Sequence, residues 1–204
     1  MKILKLVSFC CLLFSFYSFN EKIGLTISPI GKTVNDFSLK NIDNKDVSLS
    51  GFKDAKGFIV VFTCNHCPFA KLYSARFNAL NAKYKTLGVP LLAINSMDEA
   101  TYDEESFVLM QEKASSAKFN FPYLQDALQT VGKSFNAEHT PHAFIIWKEN
   151  NNWVIKYSGA IDDNGEQPEL ATPYIANAVE ELLQNKPVSQ AETPSFGCRI
   201  FYKK

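Results

Sequence analysis

The stretch Phe58-Ile59-Val60-Val61-Phe62-Thr63-Cys64-Asn65-His66-Cys67-Pro68 runs from an unbroken apolar segment into a polar turn with two cysteines three apart. An apolar run without alternation suits a central strand covered on both faces. Beyond the turn, Phe69, Tyr73, Phe77, Leu80, Tyr84 and Leu87 recur every three or four residues. That is the core stripe of one helix, and Gly88 ends it as a C-cap does. The spacing predicts strand, turn, helix, with Cys64 at the helix N-terminus. Unpaired backbone N–H groups and the helix dipole favour an anion there. A thiolate is such an anion, and C-x-x-C thiols reach pKa values of roughly 3.5–7.5 against about 8.5 for free cysteine. Cys64 is then the attacking thiolate of disulfide exchange, and Cys67, one turn on, closes a disulfide with it.

A C-x-x-C is also half of a zinc site, but a zinc ribbon needs a second C-x-x-C or an H-x-x-x-H, and the sequence has neither. The preceding strand, the following helix and Pro68 favour redox chemistry over a metal site or an inert structural pair. The chain of 204 residues, 46% apolar with 17 phenylalanines, suits one domain with additions. Basic and acidic residues balance at 21 each. No basic surplus points to nucleic acid and no acidic run to a solvating segment.

Residues 1–20 differ from the rest. Lys2 and Lys5 precede an apolar stretch, and no acid occurs before Glu21. This is the pattern of a secretory signal, although its cleavage site is poor. An uncleaved N-terminal anchor is the competing reading, and the stretch is short for a membrane span. Membrane contact is expected only through residues 1–20. Export implies an oxidising compartment, periplasmic or otherwise extracytoplasmic. With Cys10 and Cys11 removed, Cys64, Cys67 and Cys198 remain, an odd number that leaves one thiol free or transiently paired. The expected division is a signal or anchor over 1–20, a domain over 21–185 and a C-terminal tail over 186–204.

Along the domain, Thr33 to Leu49 reads as a β-hairpin around the turn residues Asn41 to Asp46. Val89 to Ile94 reads as a strand, Glu104 to Lys118 as a helix, Phe121-Pro122-Tyr123-Leu124 as a break with a short strand and Leu128 to Phe135 as a short helix. Ala143 to Trp147 and Trp153 to Gly159 read as a hairpin joined by residues 148–152, and Tyr174 to Leu183 as the last helix. Parallel crossovers followed by an antiparallel hairpin predict one α/β domain, a mixed sheet with helices on both faces. Asp162-Asp163-Asn164-Gly165-Glu166 is too short for a calcium loop and reads as a solvated turn.

From Thr33 to Asn185 the chain resembles the thioredoxin superfamily, and within it the redoxin branch of TlpA-like and AhpC/TSA-like proteins. Three parts carry the resemblance: Val61 to Pro68, the Thr140-Pro141 strand start in Glu138 to Ile146, and the segment from Leu91 to Asp126, which is similar to the redoxin insertion. The resemblance implies a thioredoxin-like fold and an exported thiol–disulfide oxidoreductase without a cofactor. Its partners would be protein or small-molecule disulfides and dithiols, with an upstream thiol redox partner. It implies that Pro141 is cis and faces the dithiol. Thr140 would then offer its backbone to an incoming peptide strand.

The sequence departs from the family in two ways. The peroxiredoxin pattern P-x-x-x-T/S-x-x-C fits neither cysteine, which weighs against strong peroxidase activity, although a peroxiredoxin-like antioxidant role remains an alternative. The buried acids of thioredoxin and TlpA-like proteins would fall at Phe58 and Ala70, so another group must take the resolving thiol's proton. His66, between the cysteines, is similar to the histidine of DsbA-like C-P-H-C and is expected to tune the thiolate. His142 could complete a metal-binding set with Cys64 and Cys67, since thiolates prefer Cu(I) or Zn, as in copper chaperones on this fold whose cysteines are four apart. Cys198, in Ser195-Phe196-Gly197-Cys198, is a possible third, resolving thiol or a small buried hydrophobe.

Overall fold

A computed structural model describes residues 28–204, so the expected signal or anchor over 1–20 lies outside the described residues. The strands are β1 (Thr33–Val34), β2 (Ser38–Asn41), β3 (Asp46–Ser48), β4 (Gly57–Phe62), β5 (Leu91–Asn95), β6 (Tyr123–Gln125), β7 (His139–Thr140), β8 (His142–Glu149), β9 (Asn152–Gly159) and β10 (Cys198–Arg199). The helices are α1 (Pro68–Leu72), α2 (Ser74–Tyr84), α3 (Phe107–Ser116), α4 (Thr130–Phe135) and α5 (Tyr174–Leu183). Eight strands form one mixed sheet in the order β1-β9-β8-β4-β5-β6-β2-β3, and β10 pairs with β7 apart from it. β4, β5 and β6 run parallel, β8 runs antiparallel beside β4, and β9 runs antiparallel to β8. This is a thioredoxin-like α/β fold.

All six residues of β4 are buried, as its unbroken apolar run requires. Side chains alternate across a strand, so Phe58, Val60 and Phe62 enter one core and Ile59 and Val61 the other. The second core is closed by Tyr73, Phe77 and Tyr84 near α2 and by Ile175 and Val179 of α5. The first holds Val131 and Phe135 of α4 together with both Cys64 and Cys67. β8 and β9 are joined by a two-residue turn rather than the five-residue loop expected. Asn150 (φ 47°) and Asn151 (φ 64°) both take the left-handed conformation that a tight hairpin needs. Among the described residues no helix is long and apolar enough to cross a membrane.

Two local readings are corrected. The stripe from Phe69 to Leu87 is not one helix: the chain leaves helical geometry at Tyr73 between α1 and α2 and tightens into a 3-10 turn at Lys85–Leu87. Phe69 and Leu87 are therefore exposed, and Phe69 meets Phe196 edge to face at 6.0 Å. Asp162 is not in a solvated turn: it is buried, accepts from Tyr73 Oη at 3.0 Å and pairs with Arg76 at 2.5 Å. Residues 186–204 pack along the domain, with Thr193 N–H donating to Ser158 O at 3.1 Å and Ile200 N–H to Glu138 O at 2.8 Å.

Candidate active site

Pro68 decides where the first helix starts. Proline lacks an N–H and its fixed φ suits the first helical position, so α1 begins at Pro68 and Cys67 occupies the N-cap position. Cys64 lies one turn earlier, at the end of β4, rather than at the helix terminus where the sequence reading put it. Thr63 N–H still donates to Ile94 O at 2.9 Å, holding the segment before Cys64 against β5. Neither cysteine is exposed to solvent, and no disulfide joins them.

The Thr140–Pro141 bond is cis and lies across the dithiol. Thr140 touches both sulfurs. Its Oγ1 is 3.1 Å from Cys64 Sγ, and its carbonyl accepts from Cys67 Sγ–H at 3.1 Å. The edge that Thr140 was expected to leave open is occupied. β10 pairs with β7 in antiparallel register, with Cys198 opposite Thr140, so the chain's own C-terminal segment sits where an incoming strand was expected.

The two thiols share their protons. Removal of one is eased because the remaining S–H donates to the new thiolate, and removal of the second is opposed. Within the coupled pair, Cys67 is the thiol drawn down. A hydrogen bond from Cys64 holds its thiol well below the ordinary value against the opposing effect of burial, and the Cys198 thiol and the Ala70 backbone N–H add to this. Cys64 is pushed up, first as the donor to Cys67, then by burial and by the negative charge of Glu105.

Glu105 is the residue sequence reasoning missed. Its carboxylate is buried and closes the turn from outside. It accepts from Asn65 N–H at 2.7 Å, His66 N–H at 3.1 Å and Asn95 Nδ2 at 2.8 Å, and it pairs with His66 Nδ1. Three acids stand together at Asp103-Glu104-Glu105 before α3, and nothing in their order shows which one turns inward. His66 thus faces Glu105 and stacks on Tyr102 with ring centroids 5.8 Å apart. Lys113, also unforeseen, reaches back from α3 to donate to Cys64 O at 2.5 Å, and burial lowers its pKa. Asn65 is fixed by Tyr123 Oη at 2.8 Å. A cleft of about 600 Å³ opens on the His66 side, lined by His66, Lys71 and Lys113 among others, but neither sulfur lines it.

His142 does not join Cys64 and Cys67. It is buried on β8, where Nδ1 accepts from Glu138 N–H at 3.2 Å and Nε2 lies 3.1 Å from Ser158 Oγ. With both ring nitrogens engaged, no lone pair points at the thiols, and the three-ligand set expected with His142 is not assembled. The group of potential ligand atoms that does come together is Cys64, His66 and Glu105, and there the carboxylate is already taken by N–H donors.

Burial, followed by the nearby His139, depresses the His142 imidazole to about 3. In the unfolded chain histidine titrates near 6.5, so between these values the unfolded state binds more protons. Stability from His142 is full above pH 6.5 and falls as the pH drops toward 3, by about 1.4 kcal/mol per unit. Urea denaturation at pH 7 and pH 4.5 is expected to show a loss larger by about 2–3 kcal/mol in the wild type than in His142→Asn. Equal losses in the two proteins would contradict the buried neutral assignment.

Comparison with known proteins agrees with this architecture. Residues 30–162 match the model of the AhpC/TSA family. An uncharacterised conserved protein from Geobacillus kaustophilus is 33% identical, with a TM-score of 0.79 over 87% of this chain and 94% of that one. A hypothetical protein from Sinorhizobium meliloti 1021 is 30% identical, with a TM-score of 0.77 over 85% and 94%. Phospholipid hydroperoxide glutathione peroxidase 1, a chloroplast protein of Arabidopsis thaliana, is 40% identical over 62 residues, so the match spans 30% of this chain and 26% of that protein. With a family match across the strand–dithiol–helix unit and through the proline loop, the chain belongs to the AhpC/TSA family, in the redoxin branch of the thioredoxin-like proteins.

Proposed function

We propose that this chain is an exported thiol–disulfide oxidoreductase whose redox centre is the Cys64–Cys67 dithiol facing Thr140 and Pro141. The observation that carries the reading is the contact of both sulfurs with Thr140, with one thiol placed to hold the other as a thiolate. In this reading the order of attack differs from the one expected from sequence. Cys67, at the helix N-cap, attacks the substrate disulfide; one substrate sulfur leaves as a thiolate and a mixed disulfide forms at Cys67. Cys64 then attacks Cys67 Sγ, releases the second substrate thiol and closes the Cys64–Cys67 disulfide. Glu105 and His66 act as positioning residues that hold the turn and set the charge near Cys64. An extracytoplasmic location rests on the basic and then apolar order of residues 1–20.

The test is a redox titration of the full chain in glutathione buffers, with mass-spectrometric mapping of every cysteine pair. A Cys64–Cys67 disulfide is the expected product. A potential well above about −200 mV marks an oxidant or isomerase and one near −270 mV a reductant. If the pair forms no disulfide at any poise, the proposal is wrong.

The peroxidase relative supports a second reading, reduction of hydroperoxides. There Cys67 thiolate would take the terminal oxygen to form a sulfenic acid, releasing an alcohol or water, and Cys64 would displace water to give the same disulfide. Stopped-flow oxidation by hydrogen peroxide and by oxidised glutathione separates the two. Faster oxidation by the disulfide, at equal concentration, supports the first reading, and faster oxidation by the peroxide supports the second.

A further inference from the structure

The C-terminal segment crosses the dithiol on close backbone contacts. Gly197 has φ +138°, and a Cβ there would lie 2.2 Å from Thr140 O; one at Gly159 would lie 2.3 Å from Thr193 O. Only glycine permits both approaches. Farther on, Tyr202 Oη donates to Ala137 O at 2.6 Å, and the Gln129 side chain brackets the chain end, accepting from Lys203 N–H at 2.7 Å and donating to Phe201 O at 3.0 Å. The segment is thus fixed on both sides of Cys198. The β7–β10 register sets Cys198 opposite Thr140, whose carbonyl already touches Cys67 and whose Oγ1 donates to Cys198 O at 3.4 Å, and the Cys67 and Cys198 thiols perturb one another's ionisation. Thr140 thus gathers Cys64, Cys67 and Cys198 around one residue.

We propose that Cys198 is a third redox-active thiol and that β10 is a built-in substrate strand, paired with Thr140 as an external peptide would be. The inference rests on the dithiol function proposed above. In the step it assigns, the Cys198 thiolate attacks Cys67 Sγ of the Cys64–Cys67 disulfide. The Cys67–Cys198 bond forms, the Cys64–Cys67 bond breaks, and Cys64 leaves as a thiolate that takes up the proton Cys198 gave to solvent. The disulfide changes place without net oxidation, so no further oxidant is needed. Its result is a covalent tie between the C-terminal segment and the substrate edge, with Cys64 returned to the thiol state. An external strand can pair with Thr140 only when β10 has left it.

The test uses full-length variants exposed to oxidised glutathione, quenched by alkylation and mapped by mass spectrometry. In Cys64→Ser, the glutathione adduct at Cys67 is expected to resolve to Cys67–Cys198. In Cys64→Ser/Cys198→Ser it is expected to persist at least about 100-fold longer, the advantage of a held neighbour being lost. Gly197→Val, which cannot keep the contact with Thr140, is expected to retain Cys64–Cys67 but lose Cys67–Cys198 and expose Cys198 to faster alkylation. A lasting adduct in Cys64→Ser, with Cys198 still alkylated, overturns the proposal. Cys198→Ser tests the underlying function separately: a Cys64–Cys67 disulfide there upholds the dithiol whatever Cys198 does, and its absence removes both. Far-UV circular dichroism of each variant checks that it is folded.

Discussion

Replacing Cys67 by serine is expected to slow exchange with a small disulfide by at least about 1000-fold, because a serine hydroxyl does not ionise at neutral pH and cannot replace the thiolate. Replacing Cys64 has a different signature. Turnover through the Cys64–Cys67 pair stops, but the first attack survives and forms a mixed disulfide on Cys67, which persists once Cys198 is replaced as well. The asymmetry follows from position: Cys67 is the N-cap of α1, where the Ala70 backbone N–H helps to lower its pKa, whereas burial and the charge of Glu105 raise that of Cys64. A pH profile separates this from a merely structural effect. The largest influence lowering the Cys67 pKa is the hydrogen bond from Cys64. Without that donor, the pH midpoint of the first attack in Cys64→Ser moves up toward the ordinary thiol value. Trapping the mixed disulfide on Cys64 in Cys67→Ser, with neither an adduct on Cys67 nor a Cys67–Cys198 disulfide in Cys64→Ser, would restore the order inferred from sequence.

The pattern of β4 and the cysteine spacing were enough to expect the strand and the turn, because both rest on neighbours in sequence, and the order of elements was enough to expect the mixed sheet. The long helix was misread at Tyr73 because apolar residues at helical spacing do not reveal where a helix bends. Phe69 completes the stripe but packs on Phe196, 127 positions away. The same limit explains Glu105. The sequence reading found that the usual acid positions, Phe58 and Ala70, are empty and that another group was needed near the dithiol. It could not say that the group comes from a turn about 40 residues later, across β5. His142 illustrates the converse: its type and its place after Pro141 suggested a ligand, yet its two ring nitrogens are engaged by Glu138 N–H and Ser158 Oγ. The expectation of an open Thr140 edge failed because the pairing of β10 depends on Gly197, whose significance appears only when Thr140 O is found beside it.

Glu105→Leu is expected to destabilise the protein by about 3–5 kcal/mol, a large share of the 5–15 kcal/mol typical of a folded domain. Glu105 satisfies Asn65 N–H, His66 N–H and Asn95 Nδ2 in a buried place. Each donor left without an acceptor costs about 1–3 kcal/mol, and the three are coupled, so their sum is an upper bound. Two of them belong to the turn between the cysteines, so the loss falls on the element that holds Cys64 and Cys67 in register with Thr140. Glu105→Gln keeps one acceptor oxygen but turns an NH₂ toward groups that are themselves donors, and is expected to cost about 1–2 kcal/mol. The charge has a separate effect, since Glu105 helps to hold the Cys64 pKa up. In Glu105→Gln, Cys64 is expected to ionise at lower pH, so resolution of the mixed disulfide by Cys64 speeds up at neutral pH as stability falls. Urea denaturation gives the first quantity and single-turnover release of the second substrate thiol gives the second. A Leu variant within about 0.5 kcal/mol of wild type, the range of an ordinary surface substitution, would mean that the carboxylate does not hold the turn. Unchanged release in the Gln variant would mean that its charge does not reach Cys64.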